Sequence, residues 1–174
     1  MTAAQIYREA YRLLDHVTPL GKVDCGVLCN KSCCADHGRE DAGMYLFPGE
    51  ESIYIGKPDW LRIDASAFTY GDDAAHAPIA MCSGRCDRHL RPLSCRIFPL
   101  VPYLAKNARM TLIADPRAKS MCPLARAFGP DELDVRFTET VGYVMRVLCR
   151  FPAVRAFLEA QSELLDEYLL FWNK

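Results

Sequence analysis

The sequence predicts an α+β fold, a single domain spanning residues 1–174 with more helix than strand. Three observations carry that expectation. Residues 3–16 repeat their apolar positions at helical spacing. Short apolar runs between Gly43 and Ala114 are cut by Gly, Pro and Asp, as small strands and hairpins are. The C-terminal third returns to helical periodicity and is expected to form a helical pair.

Taken in order, Ile6, Ala10, Leu13, Leu14 and Val17 make one apolar face, with Arg8, Glu9, Arg12 and Asp15 opposite. Thr18-Pro19-Leu20-Gly21 ends that helix. Gly43–Phe47 reads as a short strand stopped by Pro48-Gly49. Ser52–Ile55 fits either a strand or a helical turn. Trp60–Ile63 and Phe68–Tyr70 read as two strands, and residues 71–78 as a loop. Between residues 82 and 99, Gly84, Pro92 and Pro99 prevent long regular structure. Leu100–Ala105 and Met110–Ala114 form a hairpin around Lys106–Arg109. Met121–Phe128 is a short helix carrying Cys122. Asp131 or Thr138 caps a helix running to about Arg150, and Pro152 starts another ending about Trp172. Leu158, Leu164, Leu165, Leu169 and Phe171 form its docking face.

Composition is ordinary, with 51% hydrophobic and 25% charged residues and a net charge of −1. Nothing in that balance calls for nucleic acid or an anionic membrane as a partner. The first segment carries Arg8, Glu9, Arg12 and Asp15 where a signal peptide needs an unbroken apolar run. No stretch approaches the roughly 18 apolar residues of a membrane span. The chain is therefore expected to be cytoplasmic, where thiols stay reduced.

Against that background the nine cysteines stand out. Eight fall in a pattern: Cys25, Cys29, Cys33 and Cys34, then Cys82 and Cys86, then Cys95 and Cys122. In a reduced compartment such spacing reads as metal ligation or redox chemistry, and the odd total argues against complete internal pairing. A thiolate is a soft anion suited to zinc, copper(I) and iron–sulfur clusters. Around tetrahedral zinc the sulfurs lie roughly 3.8 Å apart, while a cubane spreads them over four irons. On a helix, Cys25, Cys29 and Cys33 would share one face; in a loop the same spacing still gathers them. Adjacent Cys33 and Cys34 point apart in helix or strand, so they are expected to serve different roles. One ligates while the other packs, or they face two metal sites. Cys149 follows an apolar helical run and is read as core.

The segment Cys82-Ser83-Gly84-Arg85-Cys86, then Arg91-Pro92-Leu93-Ser94-Cys95-Arg96-Ile97-Phe98-Pro99, then Cys122-Pro123, resembles the zinc- or iron-chelating cysteine-cluster family. The upstream Cys29…Cys33-Cys34 belongs to the same pattern, and the likeness covers residues 25–129 in patches. The spacing differs in one respect: three-residue gaps separate Cys25, Cys29 and Cys33 where two-residue gaps are common in the family. The resemblance implies chelation of a metal ion by the eight cysteines. Some relatives join this cluster to protein lysine methyltransferase activity, but no glycine-rich nucleotide loop supports that here. Radical S-adenosylmethionine enzymes are excluded by their Cys-x3-Cys-x2-Cys spacing.

Arg85, Arg88, Arg91 and Arg96 surround the second cysteine group and are expected to offset thiolate charge. A pocket for an anionic ligand is the alternative. His37, His76 and His89 read as surface histidines, although His37 could complete a three-cysteine site. Asp36 and Asp115 read as loop carboxylates, and Glu50 as a turn residue within reach of the site. Three functions follow. The first is a structural zinc module. The second is an iron–sulfur protein transferring electrons or supporting a protein partner. The third, ranked below them, is an enzyme using a zinc-activated thiolate, for example in methyl transfer.

Overall fold

Thr2 opens the first helix. Its hydroxyl accepts the Gln5 N–H at 3.3 Å while the Gln5 side chain accepts the Thr2 N–H at 2.8 Å. This reciprocal cap satisfies donors that a helix start leaves free. The helix, α1 (Ala3–Leu14), buries Ile6, Ala10 and Leu14 as expected and adds Tyr7 and Tyr11, while Leu13 is half-buried. The structure is a computed structural model and describes residues 2–35, 43–56, 58–84, 86–105 and 109–172. The elements that follow are α2 (Gly26–Cys29), β1 (Met44–Tyr45), β2 (Leu61–Tyr70), β3 (Ala75–Cys82), α3 (Leu93–Ile97) and β4 (Leu100–Tyr103). After them come β5 (Thr111–Ala114), α4 (Pro123–Ala127), α5 (Val135–Leu148) and α6 (Pro152–Trp172). The α+β class is as expected.

The strands form two antiparallel sheets, one ordered β1-β3-β2 and one pairing β4 with β5. Here the structure corrects the sequence reading. Trp60–Ile63 and Phe68–Tyr70 are not separate strands: Leu61 to Tyr70 is one strand with a register shift between Ala65 and Thr69. The predicted loop 71–78 is a turn only as far as Ala74, and β3 starts at Ala75. Ala75-His76-Ala77-Pro78 lacks the β-branched alternation of a strand, and proline is rare inside a central one. In the fold Pro78 pairs with Ala65 beside the irregularity, and its carbonyl still accepts the Leu46 N–H at 2.8 Å. Of Gly43–Phe47 only Met44–Tyr45 is strand, and of the two readings of Ser52–Ile55 the helical turn holds in part, as the end of a 3-10 turn at Glu50–Ile53. The β4–β5 hairpin has the expected place, with Leu100 opposite Ala114; the tip, 106–108, lies outside the described residues.

Asp134 caps α5, not Asp131 or Thr138. Its carboxylate accepts the Phe137 N–H at 3.0 Å. Asp131 belongs to a preceding 3-10 turn, and Thr138 lies inside the helix, its hydroxyl donating to the Val135 carbonyl at 3.1 Å. α6 packs through Val154, Phe157, Leu158 and Leu165. Leu164 and Leu169 are half-buried, but Phe171 is 70% exposed, so the expected docking face stops short of the last turn. Phe157 is fully buried at the centre of an aromatic cluster with Tyr45, Phe47, Phe68 and Tyr70, ring centroids 5.6–6.4 Å away. That cluster joins α6 to the three-stranded sheet. Ser162 joins α6 to the hairpin by accepting the Leu104 N–H at 2.8 Å. Among the described residues no helix is long and apolar enough to cross a membrane.

Candidate metal centre

The first cysteine segment does not run along a helix face. Cys25 leads into α2, a single turn ending at Cys29. Asn30 and Lys31 then take left-handed backbone conformations, φ 50° and 56°, and reverse the chain. A 3-10 turn at Ser32–Cys34 follows, held by the Cys34 N–H donating to the Lys31 carbonyl at 2.7 Å. Asparagine tolerates the left-handed region better than most residues. The reversal, rather than helical periodicity, folds Cys33 back toward Cys25 and Cys29.

Cys122 arrives from far along the chain. Asp115 caps the 3-10 turn Pro116–Ser120 by accepting the Arg117 N–H at 2.9 Å, and Pro123 starts α4 with Cys122 at its N-cap. The result is a notch lined by Cys25, Cys29, Cys33 and Cys122, with Phe98, Met121, Pro123 and Leu124 completing the wall. Its volume is about 10 Å³, roughly that of one water-sized sphere. A cavity of that size suits an ion rather than an organic substrate. Cys122 is buried and Cys33 exposed, with Cys25 and Cys29 between. Burial, then the charges of Asp24, Cys122 and Cys29, push the Cys25 thiol above its ordinary value.

The second group lies across the Cys33–Cys34 peptide. Cys82 is the last residue of β3, opposite Leu61. The chain leaves the sheet through Gly84, whose φ of 79° favours glycine and whose missing Cβ would stand 2.9 Å from the Cys34 carbonyl oxygen. Arg91 Nε donates to Cys86 Sγ at 3.2 Å. Cys95 sits in the middle of α3, and burial, followed by the nearby thiols of Cys34, Cys82 and Cys86, pushes its own thiol up. Cys33 and Cys34 have their sulfurs 3.9 Å apart. Their contact, with Arg91 and Lys31 on the Cys34 side, brings Cys34 down to about 6, while the same contact and burial push Cys33 up.

The expected ring of arginines is narrower than the sequence suggested. Of Arg88, Arg91 and Arg96, it is Arg91 that donates a hydrogen bond to a thiol. Half-burial works against its charge, yet the Cys86 contact and the charges of Cys86, Cys34 and Cys95 raise it above its ordinary value. Arg88 instead donates to the Asp15 carbonyl at 2.9 Å. Arg96 donates to the carbonyls of Arg91 at 2.8 Å and Arg88 at 2.6 Å, and its guanidinium lies 4.3 Å above the Tyr11 ring. Arg96 also pairs with the Asp15 carboxylate at 3.3 Å. Arg85 lies outside the described residues, as do Asp36 and His37.

A polar network that the sequence did not reveal supports the second group. Glu50 is completely buried. Its carboxylate accepts the Tyr11 hydroxyl, the Phe47 N–H at 2.8 Å and the Leu93 N–H at 2.7 Å. Leu93 is the first residue of α3, so Glu50 anchors the helix that carries Cys95. The Tyr54 hydroxyl lies 2.8 Å from that of Tyr11 and donates to the Leu90 carbonyl at 3.0 Å. Only the Glu50 turn was flagged in the sequence; its tyrosine partners are contributed from other segments.

Cys149 is half-buried at the end of α5 near Arg155 and Glu159, apart from these groups. His76 and His89 are exposed; His76 Nδ1 lies 2.8 Å from the Ser66 carbonyl and His89 Nδ1 3.3 Å from Asp15. Among the described residues no three His, Cys, Asp or Glu side chains already stand at metal-binding spacing. No family model matches the chain, and neither a curated protein nor a solved structure matches it.

Proposed function

We propose that this chain is a metal-binding protein that coordinates zinc or an iron–sulfur cluster through clustered cysteines, and that it belongs with the cysteine-cluster family it resembles. One observation carries the reading: Cys122 meets Cys25, Cys29 and Cys33 in an ion-sized notch. Four soft donors line it. Four thiolates are a donor set that both metal forms take; the notch as it stands has room for a single ion, and a cluster would need it to open. A bound ion would draw the sulfurs together and neutralise charge that four thiolates could not carry alone. The cytoplasm, where these thiols stay reduced, is the proposed compartment.

Purification without oxygen, followed by metal and acid-labile sulfide analysis, tests this. Stoichiometric zinc, or iron with equal sulfide, is the expected result and also decides between the two forms. A folded, fully reduced protein that holds no metal and takes up none would overturn it. Oxygen must be excluded, because zinc can replace a lost cluster in a four-cysteine site.

A further inference from the structure

The geometry points to two four-cysteine centres side by side, Cys25, Cys29, Cys33 and Cys122 in one and Cys34, Cys82, Cys86 and Cys95 in the other, joined through the Cys33–Cys34 peptide. This division rests on the metal-binding reading above and goes beyond it. The first set lines one notch. The second is assembled by independent contacts. Gly84 brings the Cys82–Cys86 loop against the Cys34 backbone, within a distance that excludes a side chain. Arg91 holds Cys86 by a hydrogen bond of 3.2 Å to its sulfur. Arg91, which contacts Cys86, leads through Pro92 directly into α3, the helix that carries Cys95, and neither Cys34 nor Cys95 lines the notch. The vicinal pair thus splits: Cys33 is a wall of the notch and Cys34 belongs to the Cys95 side. With sulfurs 3.9 Å apart, the centres would be immediate neighbours sharing one stretch of backbone. Each centre would take a soft divalent ion or a thiolate-ligated cluster.

The full chain, stripped of metal and kept reduced under argon, is titrated with cobalt(II) while sulfur-to-cobalt charge-transfer absorption is followed. Two equivalents are expected for the wild type. Cys29→Ser/Cys122→Ser should take up one, and Cys86→Ser/Cys95→Ser should also take up one. Wild-type saturation at one equivalent overturns the two-centre proposal but leaves metal binding standing; uptake of none overturns both. If either double variant loses both equivalents while still folded, the assignment of cysteines is wrong. Cadmium-113 spectra of the loaded wild type keep the proposal testable even if the variants fail to fold. Two resonances, each correlated with the β-protons of its own four cysteines, are expected, and one resonance or a mixed set overturns the division.

Discussion

The thiols of Cys25, Cys29, Cys33 and Cys122 meet between apolar walls, Phe98, Met121 and Leu124 among them, on a backbone that turns through Asn30 and Lys31. Cys34, Cys82, Cys86 and Cys95 are instead tied by polar contacts. Arg91 reaches Cys86, Arg96 gathers the 88–91 carbonyls, and Glu50 holds the start of α3. The first group depends on chain reversal and packing, the second on a buried hydrogen-bond network. Substitutions at the supports should therefore weigh unequally on the two groups, in the metal-free protein as well.

Glu50→Ala should be the most damaging change to the second group. It strands the N–H groups of Phe47 and Leu93 in a buried site, at about 1–3 kcal/mol each, and leaves the Tyr11 hydroxyl with Tyr54 alone. We expect a loss of about 3 kcal/mol or more in urea unfolding. A loss within the range of a surface substitution would remove Glu50 as the anchor.

The same residue gives the second group a pH dependence. Burial raises Glu50 to about 7 from an ordinary 4.5, against the pull of its hydrogen bonds. The folded chain then binds this proton more tightly than the unfolded chain. Its stabilising contribution is fully present below about pH 4.5 and is lost as pH rises through about 7. That gap corresponds to about 3 kcal/mol. Unfolding at pH 5 and pH 8 should show a fall about 2–3 kcal/mol larger for the wild type than for Glu50→Gln. Parallel falls would place the dependence elsewhere.

Gly84→Ala tests the contact between the Cys82–Cys86 loop and Cys34. Left-handed backbone and a Cβ pressed on a carbonyl should together cost about 2 kcal/mol. Arg91→Ala removes one half-buried contact to sulfur and should cost about 1 kcal/mol in the same measurement. Asn30→Gly, in the first group, keeps the left-handed turn available and should stay within about 0.5 kcal/mol of wild type. A larger effect at Asn30 than at Gly84 would reverse the comparison.

Much of the frame was legible where one local signal dominated. Pro152 and the apolar spacing after it marked α6 to its last described residue, Trp172. The β4–β5 hairpin was legible for the same reason. The start of β3 was not legible, because residues 75–78 carry no strand pattern of their own and are held by pairing with β2. The eight-cysteine pattern was visible at once, but its division was not. Which thiols face one another depends on Gly84 approaching Cys34 and on Cys122 returning to α2, and both are contacts distant in sequence. Glu50 was hidden likewise, because its tyrosines and α3 lie in segments that only the fold assembles.

The pairing of Leu61 with Cys82 makes the β2–β3 hairpin a ruler for the second group. Side chains alternate faces along a strand, so a register slip of one residue would turn Cys82 to the opposite side of the sheet. A slip of two would restore the face but carry the thiol about 7 Å along the strand. Changes of length in β3 are therefore not interchangeable with changes of length in the Gly71–Ala74 turn, where extra residues could bulge outward and leave the reach to Cys34 unaltered.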